Sequence, residues 1–255
     1  MLTLTRDYRV RFYEVDHRAR LRPATLLDYL QDAAGEHTIA LGIAVADLRR
    51  RNLTWVLSRT HARFLHYPHA GDTLRVQTWP SGREGLFALR DFEVHDQEER
   101  LVALATTSWA VIDVTTGRPV RLDSALPKYP LHDRRAIAAD FASLPKMIGC
   151  AAEMAFQVRR SDLDINHHVN NTVYPGWALE TVPDEIDVSC QLSEIEIGYR
   201  APATCGDRVL SRIQAENTSS CPTFLHQLVN KADGRELTRL RSTWLRLRSA
   251  TESGS

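Results

Sequence analysis

The stretch Arg160-Ser161-Asp162-Leu163-Asp164-Ile165-Asn166-His167-His168-Val169-Asn170-Asn171 places a carboxylate, an amide and two imidazoles within five residues, and an apolar, helix-compatible run, Val173 to Leu179, follows it. Asp164, Asn166 and His168 alternate, so in extended backbone they share one side. Asn170 or Asn171 can cap the helix start, which leaves backbone N–H groups beside the polar cluster. That arrangement suits an acyl group with a developing oxyanion. Capping alone also explains many Asx-rich, His-containing turns before helices, so the rest of the chain has to decide.

An echo of the stretch lies in the first half. Tyr13-Glu14-Val15-Asp16 matches Ser161-Asp162-Leu163-Asp164 at an offset of 164 − 16 = 148. Further on, Gly71-Asp72 matches Gly206-Asp207, 206 − 71 = 135, and Ser108-Trp109 matches Thr243-Trp244, 244 − 109 = 135. Two anchors at one offset, in the same order of elements, indicate a duplication. The halves differ at the key stretch. The first keeps the acid, Asp16, but has Arg18 and Arg20 where the second has Asn166 and His168. Chemistry is therefore expected only in the second half. The extra residues of the first half, 148 − 135 = 13, are assigned mostly to a second short helix over Ile43–Arg51.

The elements read as α+β. Tyr8–Tyr13 alternates as a strand. Pro23 sits where a helix starts, and Leu26, Leu30, Ala33 and His37 recur at helical spacing. Strands are expected at Leu53–Leu65, Thr73–Thr78, Gly85–Val94 and Leu101–Val114, separated by turns at Tyr67–Asp72, Pro80-Ser81-Gly82 and His95–Glu98. In the second half they are expected at Met154–Arg160, Val188–Tyr199, Arg208–Ala215, Thr223–Asn230 and Leu237–Leu247. The boundaries predicted are a first domain over residues 1–122, a proline-bearing linker over 123–150 and a second domain over 151–249.

Composition sets outer limits. The chain has 255 residues, 43% hydrophobic and 25% charged, with formal net charge zero. Bulk attraction to nucleic acid or to anionic membranes is not implied, and no apolar run is long enough for membrane insertion. No signal peptide is expected. Cys150, Cys190, Cys205 and Cys221 are widely spaced, with no zinc pattern, which predicts reduced thiols, a cytoplasmic setting and no bound metal.

The string Ser161 to Asn171, with Tyr174, Gly176-Trp177 and Leu179-Glu180, resembles the acyl-acyl-carrier-protein thioesterases of bacteria and plants. Tyr13-Glu14-Val15-Asp16, Leu53-Thr54-Trp55-Val56, Tyr67-Pro68 and Gly71-Asp72 fit the same family, and the resemblance runs from Leu4 to Leu247. It implies two fused hotdog domains, each an antiparallel sheet around a long helix, with the sheets joined as one. It also implies hydrolysis of the thioester of fatty acyl-acyl carrier protein (ACP), the step that ends fatty acid biosynthesis. The acyl pocket is assigned to the first half. The family's acid, amide and histidine carry over onto Asp164, Asn166 and His168. Its glutamate does not: three residues after Tyr199 stands Pro202, followed by Ala203, and a two-residue shift brings Thr204 and Cys205 there instead.

Hydrolysis of a thioester requires no cofactor. It needs activated water or a nucleophile, an oxyanion site and an apolar slot. His168 can act as base or orient water, although a histidine held by backbone contacts fits the same position. Asn166 can hold the carbonyl or the water; an Asx turn is its plain alternative. Asp164 can fix the histidine tautomer, activate water, or simply charge a helix N-terminus. Cys205 is a second candidate nucleophile, and a small buried thiol is the commoner use of cysteine. Glu180, Glu194 and Glu196 are candidates to replace the absent glutamate, each equally explained as surface charge. Arginines 49–51, 134–135, 159–160 and 239, 241, 246 and 248 would steer an acidic ACP, or be solvated surface. Rival readings are an acyl-coenzyme A thioesterase, a hotdog dehydratase, disfavoured by the spacing of Asp164 and His168, and a non-catalytic acyl-binding protein. A homodimer is a further candidate assembly.

Overall fold

Arg11 and Arg159 each open a single turn of 3-10 helix whose third residue is acidic. In both, the acid accepts the arginine's own N–H: Arg11 N to Glu14 Oε2 and Arg159 N to Asp162 Oδ2, each at 2.7 Å. Glu14 and Asp162 stand at the offset of 148. Three residues of backbone turn in each case because an acid close in sequence can satisfy an otherwise orphaned donor. A computed structural model describes residues 2–216 and 221–247 and divides the chain into two units, residues 1–142 and 143–255.

The first unit contains β1 (Leu4–Arg9), α1 (Pro23–Ala40), α2 (Val45–Arg49), β2 (Leu53–Phe64), β3 (Thr73–Glu84), β4 (Phe87–His95), β5 (Leu101–Asp113), β6 (Pro119–Val120) and α3 (Leu122–Ala125). Its antiparallel order is β1-β3-β4-β5-β2, with β6 on β5. Pro23 occupies the first turn of α1, where no N–H is needed. Leu26, Leu27, Leu30, Ala33, Ala34 and His37 form its buried stripe, packed toward β1 and β3. Each buried leucine contributes about 1.5–3 kcal/mol. The stripe is not wholly apolar, because the Arg90 guanidinium rises from β4 to meet His37 Nδ1 at 3.0 Å and Thr78 Oγ1 at 3.1 Å. Burial lowers the Arg90 pKa to about 10.

The second unit contains β7 (Ala152–Gln157), α4 (Val173–Leu179), α5 (Asp184–Ser189), β8 (Cys190–Tyr199), β9 (Arg208–Glu216), β10 (Thr223–Asn230) and β11 (Glu236–Arg246). Its order, β7-β9-β10-β11-β8, repeats that of the first unit strand for strand. The repetition extends to irregularities. Ser58 of β2 and Ser193 of β8 are each the extra residue of a bulge, opposite Trp109 and Trp244 respectively. A second pair of register shifts follows Val94 in β4 and Leu228 in β10, one residue apart in the equivalence. Both tryptophans donate Nε1–H to a hydroxyl two residues back, Trp109 to Thr107 at 2.9 Å and Trp244 to Ser242 at 3.0 Å. Cross-strand ion pairs break the likeness: Asp7–Arg75 joins β1 to β3, while Glu153–Arg212 joins β7 to β9 at a different rung. Each unit is a hotdog, a sheet packed on a helix, as the family resemblance implies.

Four expectations are corrected. The first strand is Leu4–Arg9, not Tyr8–Tyr13; Phe12 and Tyr13 lie in the 3-10 turn with side chains exposed. Pro80-Ser81-Gly82 does not end a strand but sits inside β3 at a register shift, where a residue without an N–H is tolerated. The thirteen extra residues of the first half are not mainly a second short helix, because α5 supplies one to the second unit as well. The difference falls on the central helix, 18 residues in α1 against 7 in α4. Residues 123–142, expected as a linker, are bound into the first unit. Trp79 Nε1 donates to Arg134 O at 2.8 Å, and buried Asp91 accepts from Ala136 N at 2.8 Å and Arg135 Nε at 3.1 Å.

After each 3-10 turn the backbone forms a loop closed by one aspartate. In the first unit Asp16 N donates to Arg20 O at 2.7 Å, and Asp16 Oδ1 accepts from Arg18 N at 2.8 Å and Arg20 N at 2.9 Å. The Arg20 guanidinium completes the set at 2.9 Å. Burial pushes the Asp16 pKa up, but the hydrogen bonds from Arg20 and Arg18 outweigh it and hold the carboxyl below 3.8. A depressed folded-state pKa gives stability that is complete above the unfolded value of about 3.9 and lost as pH falls through the folded value. Asp16→Ala should lower unfolding free energy by about 1–2 kcal/mol near neutrality, the partly exposed site being discounted. In urea titrations, the gap from the parent should close at acid pH.

In the second unit His226 is buried beneath α4, its Nε2 2.8 Å from Ser242 Oγ. Burial lowers its pKa from 6.5 to about 3, against a smaller opposing effect of the Ala178 backbone. The unfolded chain therefore takes up a proton that the folded chain refuses. Stability should fall as pH drops from about 6.5 toward about 3, and the slope should flatten in His226→Gln. Urea midpoints at several pH values measure it; an unchanged slope in the variant would show that the histidine is not the source.

Candidate active site

The loop of Asp164 has the same backbone as that of Asp16. Asp164 N donates to His168 O at 2.7 Å and His167 N to Asp164 O at 3.1 Å. Leu163 and Val169 pair across its neck, as Val15 and Leu21 do in the first unit. The residue before the last loop position takes positive φ in both, Ala19 at 59° and His167 at 61°. His167 is thus the loop's geometric residue, and its conformation is uncommon for a side chain of its size.

The carboxylate of Asp164 faces inward on this loop. Oδ1 accepts from Asn166 N at 2.8 Å and His168 N at 3.3 Å, and Oδ2 accepts from Asn166 Nδ2 at 3.1 Å. The side chains of Asp164 and Asn166 are therefore brought together. His168 is joined to Asp164 through its backbone, and its side chain is exposed. The alternation anticipated from extended backbone is replaced by a turn, which brings the Asp164 and Asn166 side chains together and leaves that of His168 exposed. Asp162, assigned no role above, is the more buried acid, 4% exposed, and anchors the Arg159 guanidinium at 3.0 Å. Its match with Glu14 at the shared offset was the available signal.

Helix α4 begins at Val173 with Thr172 as the cap residue, and the Thr172 side chain makes no capping bond. Neither Asn170 nor Asn171 is the cap residue, the helix starting later, after Thr172. Their backbone oxygens accept instead, from Val173 N at 3.0 Å and from the Tyr199 hydroxyl at 3.2 Å. Tyr174 and Trp177 anchor α4: the Tyr174 hydroxyl accepts from Ala203 N at 3.0 Å, and Trp177 stacks on Phe156 at 5.6 Å. Burial pushes the Tyr174 pKa up to about 12.

Val169 N donates to Ala203 O at 2.9 Å, which lays Pro202–Thr204 along the arm of the loop that carries His168. In the first unit Arg20 pairs with His69 at this place. The two offsets carry that pair onto His168 and Thr204. The Thr204 hydroxyl is bonded to Asp207 at 3.1 Å. Cys205 follows on an exposed turn closed by Asp207 N to Thr204 O at 3.1 Å, with Gly206 at φ 91°. Glu180 is exposed at the C-terminal end of α4, whereas the Asp164 loop precedes its N-terminal end. Glu194 and Glu196 lie on β8, and Glu196 is paired with Arg241 at 3.2 Å.

Most of the arginine clusters are consumed within the protein. Arg50 pairs with Asp47, Arg51 donates to the Ser124 and Ala125 carbonyls, and Arg134 and Arg135 bind Glu93 and Asp91. Arg159 holds Asp162, Arg239 holds Glu236, and Arg241 holds Glu216. Arg248 lies outside the described residues. Among the described residues no group of His, Cys, Asp and Glu is arranged to hold a metal ion, and no helix is long and apolar enough to cross a membrane.

Known proteins resemble the chain along nearly its whole length. Residues 2–128 match the model of the acyl-ACP thioesterase N-terminal domain, and residues 146–246 that of the C-terminal domain. A palmitoyl-acyl carrier protein thioesterase of Gossypium hirsutum is 30% identical over 95% of this chain, which spans 64% of that relative. A dodecanoyl-[acyl-carrier-protein] hydrolase of Cinnamomum camphora is also 30% identical, over 95% of this chain and 68% of the relative. The crystal structure of an acyl-ACP thioesterase from Bacteroides thetaiotaomicron superposes with a TM-score of 0.80 at 25% identity, covering 95% of this chain and 98% of that one. The fold is also that of the 12:0-ACP thioesterase from Umbellularia californica, with a TM-score of 0.82 at 24% identity, over 96% of this chain and 94% of that one. With both domain models matched in order, the chain belongs to the acyl-ACP thioesterase family, a family of thioester hydrolases.

Proposed function

We propose that the chain hydrolyses the thioester of a fatty acyl-acyl carrier protein and releases the free fatty acid, with the chemistry in its second unit. The observation that carries this reading is the contrast between two loops of one backbone. Both are closed by an aspartate, but only the second presents an amide and an imidazole, Asn166 and His168, where the first has Arg18 and Arg20. The relatives' names, palmitoyl and dodecanoyl carrier-protein hydrolases, support the substrate class. The acyl chain is assigned to the first unit, whose longer central helix offers the larger apolar face. A cytoplasmic setting is part of this reading, on the wide spacing of the four cysteines.

In this mechanism Asp164 is a positioning residue. Its oxygens accept the loop N–H groups and the Asn166 amide, so it fixes the direction of that amide. Asn166 then orients the attacking water or the thioester carbonyl. His168 takes a proton from water as the general base. The water oxygen bonds to the carbonyl carbon, the carbon–sulfur bond breaks, and the proton passes to the departing sulfur. Thr204 stands where the family's glutamate is expected under the shifted alignment, so that glutamate is absent, and the Thr204 hydroxyl is bonded to Asp207. That absence also favours the rival reading of a non-catalytic acyl-binding protein.

Incubation with acyl-ACP, with free thiol as the readout, tests the reading; no thiol release at any concentration would leave acyl binding alone. His168→Ala should lose at least about tenfold in rate, the low side of what a general acid–base group supplies. Asp16→Ala should change activity only as far as it changes stability. Cys205→Ala should retain hydrolysis, and alkylation of the parent should leave the rate intact. An acyl adduct trapped on Cys205, with activity lost in the folded variant, would move the chemistry to the thiol.

A further inference from the structure

Since the arginine clusters prominent in the sequence are largely held by internal partners, they leave little charge for an acidic protein to read. The degenerate loop of the first unit is different. Residues 9–22 contain arginines 9, 11, 18, 20 and 22 against Glu14 and Asp16, a net charge of 5 − 2 = +3. The equivalent residues 157–170 contain Arg159 and Arg160 against Asp162 and Asp164, a net charge of 2 − 2 = 0. Both carboxylates of the first loop are engaged inward, Glu14 with Arg11 N and the Tyr29 hydroxyl, Asp16 with the loop backbone and Arg20.

Three guanidinium groups of this stretch have no carboxylate partner among the described residues. No ion pair engages Arg9 among the described residues. Arg11 donates to the Tyr13 hydroxyl at 2.8 Å, and Arg22 donates to the Tyr13 carbonyl. Between Arg11 and Arg22 in the chain two aromatic rings face solvent, Phe12 at 88% and Tyr13 at 67% exposure. A phenylalanine turned outward in this way costs hydrophobic free energy, and the fold does not need it there: the equivalent residues are Arg160 and Ser161. Aromatic rings and arginines are the composition of protein interface cores. The loss of Asn166- and His168-like residues and the gain of charge occur in the same loop.

We propose that the loop Arg9–Arg22 of the first unit is a docking surface for an acidic acyl carrier protein. The arginines steer it, and Phe12 and Tyr13 supply the contact. This inference rests on the proposed function for the identity of the partner. It explains why a loop without catalytic groups keeps the full closed backbone. The loop serves as a rigid mount for exposed side chains.

The test titrates purified holo-acyl carrier protein against the parent, Arg9→Glu/Arg11→Glu and Phe12→Ser, each checked for folding by thermal denaturation. Hydrolysis of acyl-ACP and of the uncharged acyl-pantetheine is measured alongside. Carrier affinity should fall about tenfold or more in each variant, and parent affinity should fall with ionic strength. KM for acyl-ACP should rise with it, while acyl-pantetheine hydrolysis stays level. Unchanged carrier binding in the folded variants would overturn the inference, as would equal slowing of both substrates. A parent that self-associates through Phe12 yet binds carrier equally well with and without the ring would overturn it too. Carrier binding without any hydrolysis would instead sink the proposed function and leave the docking surface standing.

Discussion

An aspartate that accepts the backbone N–H groups of the residues two and four positions on is the interaction from which both units take their form. It costs one side chain and closes a loop that would otherwise expose several unsatisfied donors. Once closed, the loop fixes where the chain enters the central helix and where the arm before the next strand can lie. Because the carboxylate serves the backbone, the residues at the second and fourth positions are free to change without altering the loop. Asn166 and His168 in one unit, and Arg18 and Arg20 in the other, are alternative occupants of a single frame. The same geometry limits what Asp164 can do. Its acceptor capacity is largely committed, which is why the proposed mechanism gives the proton transfer to His168.

The interiors are less apolar than a simple helix-on-sheet picture suggests. His37, Arg90 and Thr78 meet under α1, and Thr181, His226 and Ser242 are gathered under α4. Buried polar groups are mostly hydrogen bonded, and each cluster gives the helix side and the sheet polar partners in one another. The tryptophans at the shared bulges find theirs within the strand. Polar anchoring of this kind suits a site whose groups must be held in place rather than assembled on closure.

Much of this was legible in the sequence because the duplication left anchors. Gly71-Asp72 and Gly206-Asp207 need a positive φ at glycine, which the structure supplies at 98° and 91°, and the tryptophans sit beside bulges. The helical spacing of Leu26, Leu30, Ala33 and His37 translated directly into burial. What failed did so for local reasons. Phe12 and Tyr13 suggested a strand by alternation, but Glu14 captured the Arg11 N–H and turned the backbone. Pro80 suggested a break, but a bulge accommodated it. Asn170 and Asn171 suggested a cap, yet the cap position falls on Thr172. The pairing of basic clusters with distant acids could not be read at all, since Arg135 with Asp91 or Arg241 with Glu216 depends on strand register.

Two halves with one strand order and one set of bulges give a folding chain two templates for every edge strand. Mispairing between like domains is a characteristic hazard of repeated folds. The cross-strand ion pairs address it. Asp7 lies opposite Arg75, and Glu153 opposite Arg212, but on different rungs of equivalent ladders. If β1 settled on β9 in the shared register, Asp7 would face Leu210; if β7 settled on β3, Glu153 would face Gln77. Exposed pairs of this sort contribute only about 0–1 kcal/mol to the finished fold. Their placement nevertheless labels each edge strand with the half to which it belongs.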